Sequence, residues 1–311
     1  MSSSLIGLLK GSAFFNSALL PDIKNGEVFS AIRNESIDFY HKGGKLFGFD
    51  KSGFYTHKKY AGLFDTASRK YKNYVSADEI MKYHGITDMR EIYQRVKEYC
   101  SLYSGVEASG VSNIYESYSN INSKEGIVVL DIEIAFEELA KESKILTEND
   151  ESAIQEGLEQ RDSLNAGEGI NRRKRTDRID MLLIDKTGVK GKLRFVEAKH
   201  YTNSEIRSDS PTPEIINQLK KYDKQIKANR KIIIDQYKNY NLIMKDLFNV
   251  SLPNDLDIID ETKLIVFGFD KEQLDYGEPI GKLKKILNDE VYARGSVKKM
   301  KPGEMNKLFY K

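Results

Sequence analysis

Residues 179–201 constrain this chain more than any other segment. Ile179–Asp185 and Leu193–Tyr201 are strand-like runs on either side of the turn-like Lys186-Thr187-Gly188-Val189-Lys190-Gly191. A two-residue turn at Gly188-Val189, glycine first as a type II′ turn requires, fixes the pairing of the two strands. Ile184 then faces Leu193, Leu182 faces Phe195 and Asp180 faces Glu197. All six side chains share one side, because strand side chains alternate with period two. Lys199 follows on that side. A slip of one residue would scatter the set over both faces, so the apolar pairs support the register independently of the charged ones. One sheet face is therefore apolar near the turn and carries an aspartate, a glutamate and a lysine at its far end.

Carboxylates on opposed strand positions lie close enough to share one small divalent ion, and Mg²⁺ takes oxygen ligands while retaining waters. A lysine two residues on can sit over a bound water and offset the charge that develops at a phosphate. A helical pattern follows, with Thr212 as its cap and Pro213 at the first helical position. It runs to about Phe248, with a break expected near Asn229. Ile215, Leu219, Tyr222 and Ile226 form its buried stripe. Gln218 and Tyr222, four apart, share a side. That brings an amide and a phenol within reach of metal-bound water or a phosphate.

These residues resemble the PD-(D/E)xK nuclease superfamily, the restriction-endonuclease-like fold. Asp180 on one strand and Glu197-Ala198-Lys199 on the next match its signature, and Gln218-Leu219-Lys220-Lys221-Tyr222 matches the Q-x-x-x-Y element of its RecB-like branch. The resemblance covers about residues 126–270 and does not touch the first hundred. It implies that Asp180, Glu197 and the Ala198 backbone carbonyl bind Mg²⁺, with Mn²⁺ able to substitute. It implies that Lys199 helps to orient and activate the water, and it makes Gln218 and Tyr222 members of the catalytic set. Ile179 stands where the superfamily's name has proline. The single cysteine, Cys100, excludes the iron–sulfur subtype of RecB-like relatives. An acidic-x-Lys triplet alone carries little in a chain with 47 acidic residues. The weight comes from its coincidence with the register, the turn and the helix. The expected activity is Mg²⁺-dependent phosphodiester hydrolysis by a DNA endonuclease, with RNA as the second substrate class and microbial antiviral defence as the implied setting. The rival expectation is a non-catalytic nucleic-acid-binding or scaffold protein of the same fold; residue by residue, the alternatives are a cross-face ion pair of Glu197 and Lys199 on an exposed strand edge, an ordinary polar helix position for Gln218 and core packing for Tyr222.

Ile127–Phe136 is a further strand candidate, with Asp131 and Glu133 on the side opposite Val128, Leu130, Ile132, Ile134 and Phe136. Glu133 is the candidate third acid, as metal ligand or outer partner; a solvent-facing strand edge is its alternative. Leu264–Phe269 adds a strand after the helix. The order strand–strand–strand–helix–strand describes an α/β architecture, a mixed sheet with a helix across one face. Upstream, Ile37–Tyr40, a Gly43-Gly44 turn, Leu46–Phe49 and Gly53–Tyr55 read as paired strands, and residues 76–103 switch to helical spacing with Ser76 as a cap. The expected division is a hairpin-plus-helix module over 1–105 and a nuclease-like domain over 106–311.

Basic and acidic residues nearly cancel, at 49 and 47, so partners are read from the distribution of charge. Arg172, Arg173, Lys174 and Arg175 follow an acidic stretch. Lys58 and Lys59 lie among the aromatics of Tyr55–Tyr60, and Arg69-Lys70-Tyr71-Lys72 repeats the mixture. Such clusters suit phosphate contact and base stacking, although a lysine-rich solvated surface looks the same. The first module is then a surface for target recognition, a second copy or a partner protein. No apolar run approaches the roughly 20 residues of a membrane span. Leu5–Leu20 lacks a cationic start and is interrupted by Lys10, so no secretory signal and a cytoplasmic location are expected. Four scattered histidines make no zinc-ligand spacing.

Overall fold

The computed structural model describes residues 1–63, 73–135, 178–207, 211–274 and 278–310. They form two compact units, Met1–Ser112 and the described residues from Asn113 onward. The chain is of mixed α/β class, with a sheet in each unit.

In the first unit, β1 (Phe29–Ile32), β2 (Ile37–His41), β3 (Gly44–Asp50), β4 (Gly53–His57) and β5 (Tyr74–Ser76) form an antiparallel sheet in chain order. The first expected turn lies one residue earlier than Gly43-Gly44. Lys42 and Gly43 take φ of 50° and 88°, the left-handed pair of a type I′ hairpin. Glycine is required at the second position, because a Cβ there would lie 2.3 Å from the Ala108 carbonyl carbon. The helices are α1 (Ser3–Gly11), α2 (Leu20–Asn25), α3 (Ala77–His84) and α4 (Arg90–Tyr103). Ser76 caps α3 as its spacing predicts: its hydroxyl accepts from Glu79 N–H while the Glu79 carboxylate accepts from Ser76 N–H. Phe14 packs edge-on against Phe47, Phe54 and Tyr93 in the core.

Helix α5 (Val106–Tyr118) leads into the second sheet. Its elements are β6 (Ile127–Ala135), β7 (Arg178–Asp185), β8 (Gly191–His200), α6 (Glu214–Phe248), β9 (Leu256–Ile258), β10 (Lys263–Phe267), α7 (Pro279–Leu287), β11 (Val291–Arg294) and α8 (Pro302–Tyr310). Strand order is β11-β10-β8-β7-β6, with β9 beside the first residues of β8. The β6–β7 and β7–β8 pairs are antiparallel, whereas β10 runs parallel to both β8 and β11. Helix α6 lies on the path from β8 back to that parallel edge.

The register of β7 and β8 is the one the apolar pairs predict, with Ile184 opposite Leu193 and Leu182 opposite Phe195. The turn is different. Gly188 takes no positive φ, so no type II′ turn forms. Asp185 organises the loop instead, its Oδ1 accepting from the N–H and hydroxyl of Thr187 at 2.8 and 2.7 Å. A wider loop with the same centre preserves the pairing.

Helix α6 also departs from expectation at two points. Pro213, at φ −54° and ψ 147°, and not Thr212, is the N-cap residue, and the helix starts at Glu214. It then runs unbroken through Asn229, whose side-chain amide donates to the Gln225 carbonyl at 2.9 Å and so bonds back to its own helix. Ile215, Leu219, Tyr222 and Ile226 are buried as the spacing predicts. Farther along, Tyr237 donates to Asp131 Oδ2 at 3.0 Å and Tyr240 to the Leu130 carbonyl at 2.8 Å, so α6 also covers β6. The simple alternation read for β6 fails there. The register shifts between Val129 and Asp131, and Glu133 adopts a left-handed φ of 53°. Asp131 is buried rather than turned away from the core.

No helix among the described residues is long and apolar enough to cross a membrane.

Candidate functional site

The site lies where β7 and β8 part. Their ladder ends at Met181–Val196, one step short of the expected Asp180–Glu197 pair. The next donor on that edge of β8, the Ala198 N–H, is taken by Asp180 Oδ2 at 2.6 Å. The N–H and C=O of one strand residue leave on the same edge, so the Ala198 carbonyl is directed toward the same gap. Asp180 thus joins the group through the backbone of the residue between Glu197 and Lys199.

Glu197 is 2% exposed, and its Oε1 accepts from Lys199 Nζ at 2.9 Å and from Gln218 Nε2 at 3.1 Å. Lys199, also buried, reaches Glu205 Oε2 at 2.8 Å. Gln218 Nε2 donates in addition to the Tyr222 hydroxyl at 2.8 Å, and that hydroxyl donates to the Arg178 carbonyl at 2.7 Å. Burial, then the charge of Glu197 and, more weakly, of Asp180, hold the Tyr222 phenol far above its ordinary ionisation range, against the Gln218 hydrogen bond and Lys199. The phenol therefore stays protonated and serves as a donor. Asp180, Glu197, Lys199, Gln218 and Tyr222 form one connected group. Gln218 and Tyr222 are committed to protein partners, so their observed contacts fix Glu197 and β7.

Glu197 and Lys199 do form an ion pair, but beneath α6 rather than on an open edge. Burying two charges costs several kcal/mol per ion unless each is well paired, and this network supplies the pairing.

Two members escaped the sequence analysis. Glu205 lies in the polar connection after β8, where no periodicity marks it. Arg178 precedes Asp180 by two residues and was open to the same period-two argument that selected Asp180. Its Nη1 stands 3.4 Å from Glu133 Oε2. Glu133 is thus engaged by an arginine, and no group of three His, Cys, Asp or Glu side chains able to hold a metal occurs among the described residues. The third acid expected at Glu133 is not gathered with Asp180 and Glu197. The remaining donors are two carboxylates and a backbone carbonyl. This all-oxygen set fits Mg²⁺, which commonly takes one or two carboxylates and completes its shell with water and substrate phosphate.

Of the basic candidates, Arg172, Arg173, Lys174 and Arg175, like Arg69-Lys70-Tyr71-Lys72, lie outside the described residues. Lys58 and Lys59 are half-buried in the first unit. The Lys59 ammonium sits 5.6 Å from the centre of the Tyr103 ring, and the Lys58 N–H donates to the Asn73 carbonyl. Compared with protein-family models, with curated proteins and with solved structures, the chain matches none.

Proposed function

We propose that this protein is a metal-dependent nuclease that hydrolyses phosphodiester bonds, with DNA as its substrate and the β7–β8 opening as its active site. One observation carries the reading: Asp180 and the Glu197–Lys199 pair converge at the end of a ladder, under the helix that bears Gln218 and Tyr222. The order β6-β7-β8-α6-β10, antiparallel up to β8 and parallel beyond it, supports the restriction-endonuclease-like form of the fold.

Asp180, Glu197 and the Ala198 carbonyl would hold Mg²⁺. A bound Mg²⁺ supplies Lewis-acid stabilisation of charge on a phosphate oxygen. Lys199 holds positive charge beside the reacting phosphate, where a buried site makes that charge more effective than in water. Gln218 holds Glu197 Oε1 in place, and Tyr222 ties Gln218 to the end of β7. These two residues position the acid.

The test is incubation of the full chain with supercoiled and linear DNA, and with RNA, in Mg²⁺, beside Asp180→Ala and Lys199→Ala. Calorimetric Mg²⁺ titration accompanies each. Cleavage by the wild type alone, with Mg²⁺ binding weakened in Asp180→Ala, supports the reading. Cleavage that survives both substitutions overturns the site. A wild type that binds no divalent ion and cuts no nucleic acid overturns the activity and leaves a scaffold of the same fold.

A further inference from the structure

Lys199 lies between two acids, and only one of them belongs to the strand pair. Its Nζ is 2.9 Å from Glu197 Oε1 and 2.8 Å from Glu205 Oε2. Glu205 comes from the connection that leaves β8. There Asn203 N–H donates to the His200 carbonyl, Asn203 Oδ1 accepts from Glu205 N–H at 2.8 Å, and Ile206 is buried. The Glu205 carbonyl in turn accepts from Ile215 N–H in the first turn of α6. The glutamate that grips the lysine is thus anchored both to the end of β8 and to the helix that carries Gln218.

We propose that Glu205 is a positioning residue of the nuclease site, an inference that rests on the reading above. Its task follows from charge. A divalent ion held by Asp180 and Glu197 would draw Glu197's charge away from Lys199 and repel the ammonium. A lysine held by Glu197 alone would then swing on its flexible stem. Glu205 places a second negative charge 2.8 Å from Nζ, so the ammonium would stay in place once a metal was held. It acts through Lys199 and is assigned no contact with metal or substrate.

Glu205→Gln and Glu205→Asp, each in the full chain, test this by two independent readouts. In the cleavage assay Glu205→Gln lowers kcat by on the order of 10- to 100-fold, as misplacement of a catalytic group does. KM for DNA and Mg²⁺ affinity by calorimetry stay within about twofold, and Glu205→Asp recovers part of kcat. In NMR spectra of ¹⁵N-lysine-labelled protein, the Lys199 ammonium resonance, assigned by its loss in Lys199→Ala, is protected from solvent exchange in the wild type and loses that protection in Glu205→Gln. Unchanged protection overturns the proposal whether or not the protein cuts DNA. An unchanged kcat in a wild type that cleaves overturns it while sparing the nuclease reading. A fall in Mg²⁺ affinity overturns it by making Glu205 a ligand. A wild type that cuts nothing, with the protection lost as expected, overturns the nuclease reading and leaves the grip on Lys199 standing.

Discussion

Strand β8 carries a buried cation on each of its faces, and the two are used differently. On the face under α6, Lys199 is met by Glu197 and Glu205, with Asp180 nearby. On the opposite face Arg194, 4% exposed, donates to the Phe309 carbonyl and pairs with Glu290. Lys263 shares that second face, since it stands opposite Val196 across a parallel pair, and it donates to the Asp289 carbonyl. The first face gathers Asp180, Glu197 and Glu205 around Lys199, and farther along β7 it pairs Arg178 with Glu133. On the second face Arg194 pairs with Glu290, Lys263 is held by a backbone carbonyl, and the buried Asp185 accepts from Thr187 and Tyr310. Burial of charge alone does not separate the two faces; what the cations are bonded to does. Lys199 is held by side-chain carboxylates, whereas Arg194 and Lys263 also grip backbone carbonyls, and Arg194 secures α8 through Phe309.

The contrast is sharpest in Lys199→Ala against Arg194→Ala. Removing Lys199 should cost on the order of 10²–10³-fold in cleavage, the usual loss of one preorganised charge-stabilising group, and about 3–5 kcal/mol of stability as well, because it leaves Glu197 buried without its cation. Removing Arg194 should leave Mg²⁺ binding within about twofold of wild type but destabilise the fold by about 3 kcal/mol. That is the low end for breaking a buried pair, because Glu290 is partly exposed. Parallel denaturant titrations and cleavage assays check both. If Arg194→Ala abolishes activity at full stability, or Lys199→Ala cleaves as fast as wild type, the two faces do not divide the work this way.

A second test uses pH. Burial first, and the neighbouring Arg194 charge second, push Lys263 down to about 8 from its ordinary 10.5. Between those values the unfolded chain binds more protons than the folded one, so this lysine makes stability rise with pH across the window. Below about pH 8 both states are protonated and the folded state carries the full penalty. Lys263→Met should therefore be more stable than wild type at neutral pH, less the hydrogen bond to Asp289, and its advantage should shrink as pH climbs toward 10.5. Urea unfolding at several pH values measures the difference. Curves that stay parallel from pH 7 to 10 would remove Lys263 from the account.

What the sequence disclosed follows from the range of each interaction. The β7–β8 register was legible because Leu182, Ile184, Leu193 and Phe195 constrain it redundantly. The turn was not, because Asp185's own side chain replaced the geometry expected of Gly188. Tyr222 and Gln218 were legible from helical spacing over the triplet. Glu205 was not, since its meaning comes from a connection folding back onto Lys199. The same holds for Glu133, where a left-handed residue inside β6 undoes the period-two count. Strand β9, three residues long, is too short to show any period.

The smallest expected effect isolates the positioning layer of the face under α6. Tyr222→Phe keeps the buried ring and removes one hydroxyl, which donates to the Arg178 carbonyl and accepts from Gln218. The Arg178 carbonyl then loses this donor, and the second Gln218 Nε2 hydrogen loses its acceptor while the first keeps Glu197. The cost should be about 1–2 kcal/mol of stability, the net worth of two such hydrogen bonds. Cleavage should fall by less than in Lys199→Ala, because the phenol holds its proton and makes its contacts to the protein. Thermal unfolding with single-turnover cleavage separates the two quantities. A loss of cleavage as large as that of Lys199→Ala would instead put the Tyr222 hydroxyl at the reacting phosphate and make it a catalytic donor.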